Sequence, residues 1–450
     1  MAIRDLLWAC PICDAFGSLR AGTRRTDVCG NCGCRFRRSD GASIRADYPD
    51  GRSETASAFQ WQERLPAIES RFPPEGHEVL GPEPVSVKHL AGFRPVLDHG
   101  NLLGWAERMG SRQSATVRLT PDSLVLAYQD SEEVTSLAEV RSIQPTSRSL
   151  QIGRRGRPLI ALKFSSASIR LWEAVLQARV RNAYRIAGWG EITEFQPVIR
   201  AGHAGRRSGR ENVRMPLIQN QIPQSNHARQ VERTNAVYRI CRRTMRTVWK
   251  IFGRFDIRGF ANIPATGPFL LVCNHQSDLD PPLIQSIIPR PIYAVAKSGL
   301  FTAPVLGWLM RRLHSIPVRR YQVDPQSVRT ALRRLRAGNG VAIYIEGERS
   351  WDGRLQDYRP GTIRLALKAN VPIIPVAISG TYEASPRWDT RIRPGTVVIQ
   401  FLEPIHFAQF NRRADREAAL RDAAAVIMSR LEIALANAAR GSAASPILQK

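Results

Sequence analysis

Short, almost wholly apolar runs in the C-terminal half, each ending in a polar cluster, narrow the possible folds more than any other feature of this chain. Phe269–Cys273 leads into Asn274-His275-Gln276-Ser277-Asp278-Leu279-Asp280, and Ile316-Pro317-Val318 leads into Arg319-Arg320. Val341-Ala342-Ile343-Tyr344-Ile345 leads into Glu346-Gly347-Glu348-Arg349-Ser350, and a further apolar run follows at 371–376. Runs of this kind read as buried strands, and catalytic side chains often sit where such a strand ends and the chain turns. In the first cluster His275 and Asp280 stand five positions apart. A carboxylate that accepts a hydrogen bond from one imidazole nitrogen fixes the tautomer and leaves the other nitrogen to take a proton from a hydroxyl. That is a general base without a serine. The same stretch can also be read as a helix cap formed by Ser277, Asp278 or Asp280.

The four blocks, in this order over about residues 230–440, resemble the glycerolipid acyltransferase family, whose best-known members make phosphatidic acid from 1-acylglycerol 3-phosphate and an acyl thioester. The resemblance implies an α/β catalytic domain in which His275 and Asp280 are catalytic. It assigns acceptor binding to Arg320 and to Glu346, Gly347, Arg349 and Ser350 of the third block, and names acyl-CoA or acyl-carrier protein as the co-substrate. Glu346 is expected to orient Arg349 or the acceptor. The family's third block is usually Phe-Pro-Glu-Gly-Thr-Arg-Ser; this chain has Ile345 for the proline and Glu348 for the threonine. A carboxylate beside a phosphate-binding arginine opposes a dianionic head group unless it points away, so another lysophospholipid or an unphosphorylated lipid alcohol stays open as acceptor. Arginine suits a phosphomonoester because its planar fork donates in pairs. In an arginine-rich chain the bland reading of any one arginine is a solvated surface residue.

Near the start, Cys10-Pro11-Ile12-Cys13 and Cys29-Gly30-Asn31-Cys32 form two CxxC pairs separated by fifteen residues. This spacing resembles a zinc ribbon over residues 1–40, with Cys10, Cys13, Cys29 and Cys32 as a closed structural set of thiolates. Cys34 could replace Cys32. No signal peptide is expected at the N-terminus, which argues against secretory disulfides.

Residues 41–79 are polar and poorly patterned and read as a linker. Alternating strands and an amphipathic helix follow, in which Ile169, Trp172, Leu176, Val180 and Tyr184 recur on one face and Ser165 or Ser166 can cap the start. Over 80–192 this order resembles a pleckstrin-homology-like or GRAM-like domain, which implies lipid or protein binding, or a purely structural role. Residues 193–229 read as a basic linker. Between positions 201 and 260 thirteen basic residues stand against three acidic ones. Within that stretch Val237, Cys241, Met245, Val248, Trp249 and Phe252 make an apolar stripe opposed by arginines. Such a helix either lies in the interface of an anionic bilayer or docks on the catalytic domain.

A chain of 450 residues fits two or three domains, and no apolar stretch is long enough to span a bilayer. The reading is therefore a multidomain protein: a small zinc ribbon, a β-rich PH-like domain with a C-terminal helix, and an α/β acyltransferase domain over 230–440. It is expected to be peripheral, on the cytoplasmic face of an anionic membrane. The net charge of +26 admits a second class, a basic zinc-ribbon protein that binds nucleic acid. It ranks lower, because the arginines are spread over every segment.

Overall fold

The computed structural model describes residues 3–22, 26–39, 42–73, 77, 79–98, 100–146, 149–165, 167–188, 236–319, 324–389, 391–407 and 415–443. These fall into two compact units. The first takes its described residues from 1–92 and 107–226, the second from 93–106, 227–320 and 324–450. The expected basic linker at 193–229 lies outside the described residues, as does Arg320.

The first unit opens with five antiparallel strands in sequential order: Leu19–Ala21, Thr26–Cys29, Arg35–Arg38, Ser43–Asp47 and Ser53–Ser57. The last two fall within 41–79, so that stretch is not simply a linker. Ile44 is buried with Phe36 and Trp61, whose rings meet edge to face at 5.9 Å. Trp61 stands on a helix, Ala58–Glu63, that Ser57 and Gln60 cap reciprocally, and its indole N–H donates to the Ile44 carbonyl at 2.8 Å. The strands are short and most outward positions are polar. Only one or two buried side chains mark each, too few for a period to stand out in the sequence.

A second sheet of eight strands runs in the order Glu132–Ser136, Ser123–Ala127, Gln113–Leu119, Leu80–Asp98, Arg157–Phe164, Leu150–Arg154, Val140–Pro145, with Asn101–Met109 paired to Leu80–Asp98. Helix Ile169–Ile186 contributes Ile169, Trp172, Leu176, Val180 and Tyr184 to the core shared with this sheet. Its cap is Ser168, whose hydroxyl accepts from the Leu171 amide, so the helix starts later than a cap at Ser165 or Ser166 would place it.

The second unit is built on seven strands: β1 (Gly253–Arg258), β2 (Phe269–Cys273), β3 (Ile292–Lys297), β4 (Ser315–Val318), β5 (Gly340–Tyr344), β6 (Ile373–Ser379) and β7 (Gly395–Phe401). Their spatial order is β1-β7-β6-β2-β5-β3-β4, with β6, β2, β5, β3 and β4 mutually parallel and β7 antiparallel to β6. All five residues of β2 are fully buried because helices cover both faces. Leu270 and Val272 share a core with helices Pro325–Arg336, Pro360–Ala369 and Arg416–Ala443. Phe269, Leu271 and Cys273 share the other with Trp249 of helix Ala236–Phe252 and with Leu283 and Ile284 of helix Asp280–Ile287. A strand buried on both sides needs apolar side chains at every position, which is why these runs lack alternation. At about 1.5–3 kcal/mol for each large apolar side chain taken from water, β2 is a major source of cohesion for the unit.

The carboxyl ends of β2, β5 and β6 lie side by side, at the edge where open α/β sheets bind ligands. Gly380 follows β6 there at φ +88°, and a Cβ on it would meet the Thr396 carbonyl oxygen at 2.0 Å. Gly380→Ala should therefore lower unfolding stability by about 2 kcal/mol or more, well beyond an ordinary glycine-to-alanine change. Chemical denaturation of the two proteins checks this, and equal midpoints would refute it.

Candidate active site

The strand that leads to His275 stops at Cys273 because the next residue commits its side chain to the neighbouring strand. Asn274 Nδ2 donates to the Ile378 carbonyl at 2.8 Å while its Oδ1 accepts from the Ile378 amide at 2.7 Å. A side chain thus replaces one rung of the ladder between β2 and β6, and the backbone is released to turn. His275 is buried just beyond, and its Nδ1 lies 2.9 Å from Asp280 Oδ2.

Asp280 is fully buried at the start of helix Asp280–Ile287, which has no side-chain cap at its N-terminus. The carboxylate turns back instead. Its Oδ2 accepts from the amides of Gln276 and Ser277 at 2.7 and 2.8 Å as well as facing the imidazole. Two fixed donors hold that oxygen in position, and the resulting geometry favours the tautomer protonated at Nδ1. Proton acceptance then falls to Nε2.

The third block grips the same histidine through its backbone. Glu346 Oε1 accepts from the His275 amide at 2.6 Å, Oε2 accepts from the Gln356 amide at 3.0 Å, and the Ser350 amide donates to the His275 carbonyl at 2.8 Å. Both Glu346 oxygens are therefore bonded to main chain, and no bond to Arg349 is among them. Ser350 is buried, and its hydroxyl donates to Asp352 Oδ1 at 2.8 Å, which shapes the loop that follows. Gly347 turns that loop at φ +69°, where a Cβ would meet the Arg359 side chain at 2.8 Å.

Arg349 pairs with Asp278 at 2.8 Å, and Asp278 is 75% exposed. The Arg349 side chain is itself only 19% exposed, so the open partner of this pair is the carboxylate. Glu348, one of the two departures from the third block, does not lie unopposed beside Arg349. Its two oxygens pair with Arg359 at 3.0 Å and Arg387 at 3.1 Å, and Arg387 also donates to the Arg349 carbonyl and stacks on Trp351 at 3.9 Å. Arg319 is buried against Asp324, which takes bonds from its backbone amide, Nε and Nη2. Arg320 lies outside the described residues.

Tyr344 is a contact that the sequence did not single out. Its ring lies against His275 with centroids 4.2 Å apart and planes 30° apart, and burial holds its hydroxyl well above the usual tyrosine range. Burial likewise pushes Glu346 well above the usual carboxylate range, with Asp280 and Glu348 adding to the rise and the His275 and Gln356 amides opposing it. Arg387 lies far along the chain from His275, and nothing local marked it; Tyr344 stands where the family's third block carries another aromatic.

The basic helix takes the docked alternative. Arg242 and Arg246 of Ala236–Phe252 donate to the Ser286 carbonyl at 3.1 and 2.7 Å, and Arg242 also reaches the Pro289 carbonyl at 3.0 Å, so they satisfy the open end of helix Asp280–Ile287.

In the first unit the sulfurs of Cys10, Cys13, Cys29 and Cys32 all lie within 4.8 Å of one another; Cys34 is not in the group. The Cys10–Cys32 and Cys13–Cys29 separations are both 3.7 Å. Four sulfurs held tetrahedrally at about 2.3 Å from Zn²⁺ stand about 3.8 Å apart, so the set fits that metal. Asn31 and Cys32 amides approach Cys29 Sγ at 3.4 and 3.5 Å, the arrangement that stabilises a bound thiolate.

Residues 254–379 match the Acyltransferase family model. The chain is 34% identical over 161 residues to the 1-acyl-sn-glycerol-3-phosphate acyltransferase BAT2, chloroplastic, of Brassica napus, covering 34% of this chain and 46% of that protein. The 1-acyl-sn-glycerol-3-phosphate acyltransferase of Bacillus subtilis is 25% identical over 182 residues, 40% of this chain and 88% of that one. A solved structure of the 1-acyl-sn-glycerophosphate acyltransferase PlsC from Thermotoga maritima is 26% identical, covers 43% of this chain and 78% of that chain, and gives a TM-score of 0.37. The chain thus spans a little under half the length of the first of these relatives.

The buried Glu346 carboxyl ties stability to pH. The folded state binds this proton more tightly than the unfolded one, so the stability it contributes is present below the ordinary glutamate range. It is lost as pH rises toward the folded value. Glu346→Gln should be destabilised at low pH and should lack this fall, so the gap between the two proteins narrows as pH rises. Melting curves recorded at rising pH, starting from the ordinary glutamate range, check it. A gap that widens with pH would contradict the assignment.

Proposed function

We propose that the second unit transfers a fatty acyl group from an acyl thioester, carried on coenzyme A or acyl-carrier protein, to the hydroxyl of 1-acylglycerol 3-phosphate, giving phosphatidic acid. The observation that carries this reading is the buried His275–Asp280 pair at 2.9 Å within the segment that matches the Acyltransferase model. The names of the relatives point to the same acceptor. An alcohol is far too weakly acidic to attack a thioester unaided, so a base must take its proton as the new bond forms.

In the proposed reaction Nε2 of His275 takes the acceptor's hydroxyl proton while the oxygen attacks the thioester carbon. The tetrahedral intermediate then collapses, the C–S bond breaks, and the departing thiolate takes the proton back from the imidazolium. Asp280 supports the imidazolium charge throughout. Arg349 is the group on this edge suited to the acceptor's phosphate, which would displace the exposed Asp278 carboxylate. Arg320 is proposed to assist. Glu346 and Ser350 act as positioning residues, fixing the histidine's main chain; Gly347 lets the loop turn. The pairing of Glu348 with Arg359 and Arg387 removes much of its charge from the field at Arg349, which favours a phosphorylated acceptor over a neutral lipid alcohol.

For the first unit we infer a structural Zn²⁺ on Cys10, Cys13, Cys29 and Cys32, followed by a PH-like domain of helix Ile169–Ile186 and the part of the eight-stranded sheet that this unit contains. Among the described residues no helix is long and apolar enough to cross a membrane. A peripheral site on the cytoplasmic face suits a lipid acceptor.

Purified protein given an acyl-CoA and lysophosphatidate should release free thiol and form phosphatidic acid, and His275→Ala should lower turnover by about a thousandfold or more with an unchanged melting curve. Near-normal turnover would overturn the mechanism. Metal analysis should find one zinc per chain, lost in Cys10→Ser together with the cooperative melting of the N-terminal strands. A metal-free protein with intact strands would refute the zinc site.

A further inference from the structure

The basic helix is anchored to the second unit through Trp249, Arg242 and Arg246, and a separate apolar group lies open. After β3 the chain makes a short turn, Ser298–Phe301, and then helix Pro304–Arg312. Leu300, Val305, Leu306 and Trp308 are all exposed, Val305 to 79% and Trp308 to 44%. They are four of the thirteen large hydrophobic side chains exposed among the described residues, gathered within nine positions. Scattered exposed apolar residues are normal, but a contiguous group marks an interaction surface.

The turn itself is well fixed. Phe301 is buried in a small core with Val96, Leu103 and Ala106. Gly307 rests on the Phe301 carbonyl so closely that a Cβ would stand 2.6 Å from its oxygen. One face is pinned, and the opposite face presents its apolar side chains outward. Charge selects the partner. Between Asp280 and Asp324 the sequence has no acidic residue, and Lys297, Arg311 and Arg312 flank the turn and helix, whereas Arg319 of the same interval is buried against Asp324. Arg312 lies over the Trp308 ring at 5.9 Å. Apolar side chains with an indole and flanking cations, in a stretch of sequence without carboxylates, match the boundary between acyl chains and anionic head groups.

We propose that Leu300, Val305, Leu306 and Trp308 insert into the interface of an anionic bilayer, with Lys297, Arg311 and Arg312 at the level of its head groups. The turn leaves β3 at the carboxyl edge of the sheet, the same edge that carries His275, so a lipid acceptor enters from the surface on which the helix sits. This deepens the acyl-transfer reading and rests on it for the purpose of the contact, but not for the contact itself.

The test is co-sedimentation of the full chain with vesicles of phosphatidylcholine alone or with about 30 mol% phosphatidylglycerol, free of acyl donor and lysophospholipid. The native protein should bind the anionic vesicles, more weakly as salt rises, and the double variant Val305→Asp, Trp308→Ala should bind at least about tenfold more weakly. Thermal melting confirms that the variant folds. Should it not, Val305→Asp alone, at a side chain already open to solvent, serves with the same expected direction. Equal binding by native and variant proteins overturns the proposal, as does self-association of the native chain without lipid that the substitutions abolish. Because no catalysis is involved, failure here leaves the acyl-transfer assay to be judged on its own.

Discussion

The proposed site depends on one oxygen atom. Asp280 Oδ2 gathers the His275 ring and the amides of Gln276 and Ser277 around a single buried point, and so sets up a turn after a strand as an oriented base. The two amides matter as much as the imidazole. Without them the carboxylate would have to be positioned by the histidine it is meant to orient; with them it is a fixed reference against which the ring is set.

The remaining parts supply rigidity from three strands. β2 delivers the histidine, Asn274 fastens the turn to β6, and the loop after β5 holds the His275 main chain at both its amide and its carbonyl. A loop braced in this way keeps its side chain near one geometry, which is what proton transfer to a passing alcohol requires. The arginines divide by role. Arg319 and Arg387 are buried and bonded within the fold, Arg242 and Arg246 close a helix end, and Arg349, half-buried, faces an exposed Asp278 carboxylate that a ligand could replace.

Much of the second unit was legible because its strands are buried on both faces and so stand out as unbroken apolar runs, each with its polar cluster at the carboxyl end. Other parts were hidden for physical reasons. In 41–79 the strands bury few side chains, and the alternation is too brief to rise above a polar background. The helix cap fell to Ser168 because several serines precede the apolar face and only the turn geometry chooses among them. Glu346 read as a partner for Arg349 or the acceptor, whereas its oxygens bond to backbone amides, which carry no signature in a sequence. The partners of Glu348 sit 11 and 39 positions away. The stripe on Ala236–Phe252 fitted both a membrane and a docked helix, and only the carbonyls that its arginines meet decide between them.

The central claim is that Asp280 orients His275 for proton transfer, and Asp280→Asn examines it most directly, because the amide keeps the size of the carboxylate while weakening its hold on the protonated ring. Steady-state rates should show kcat reduced by about a hundredfold or more, with KM for lysophosphatidate changed by no more than about twofold. A variant that retained most of the native kcat would contradict the account.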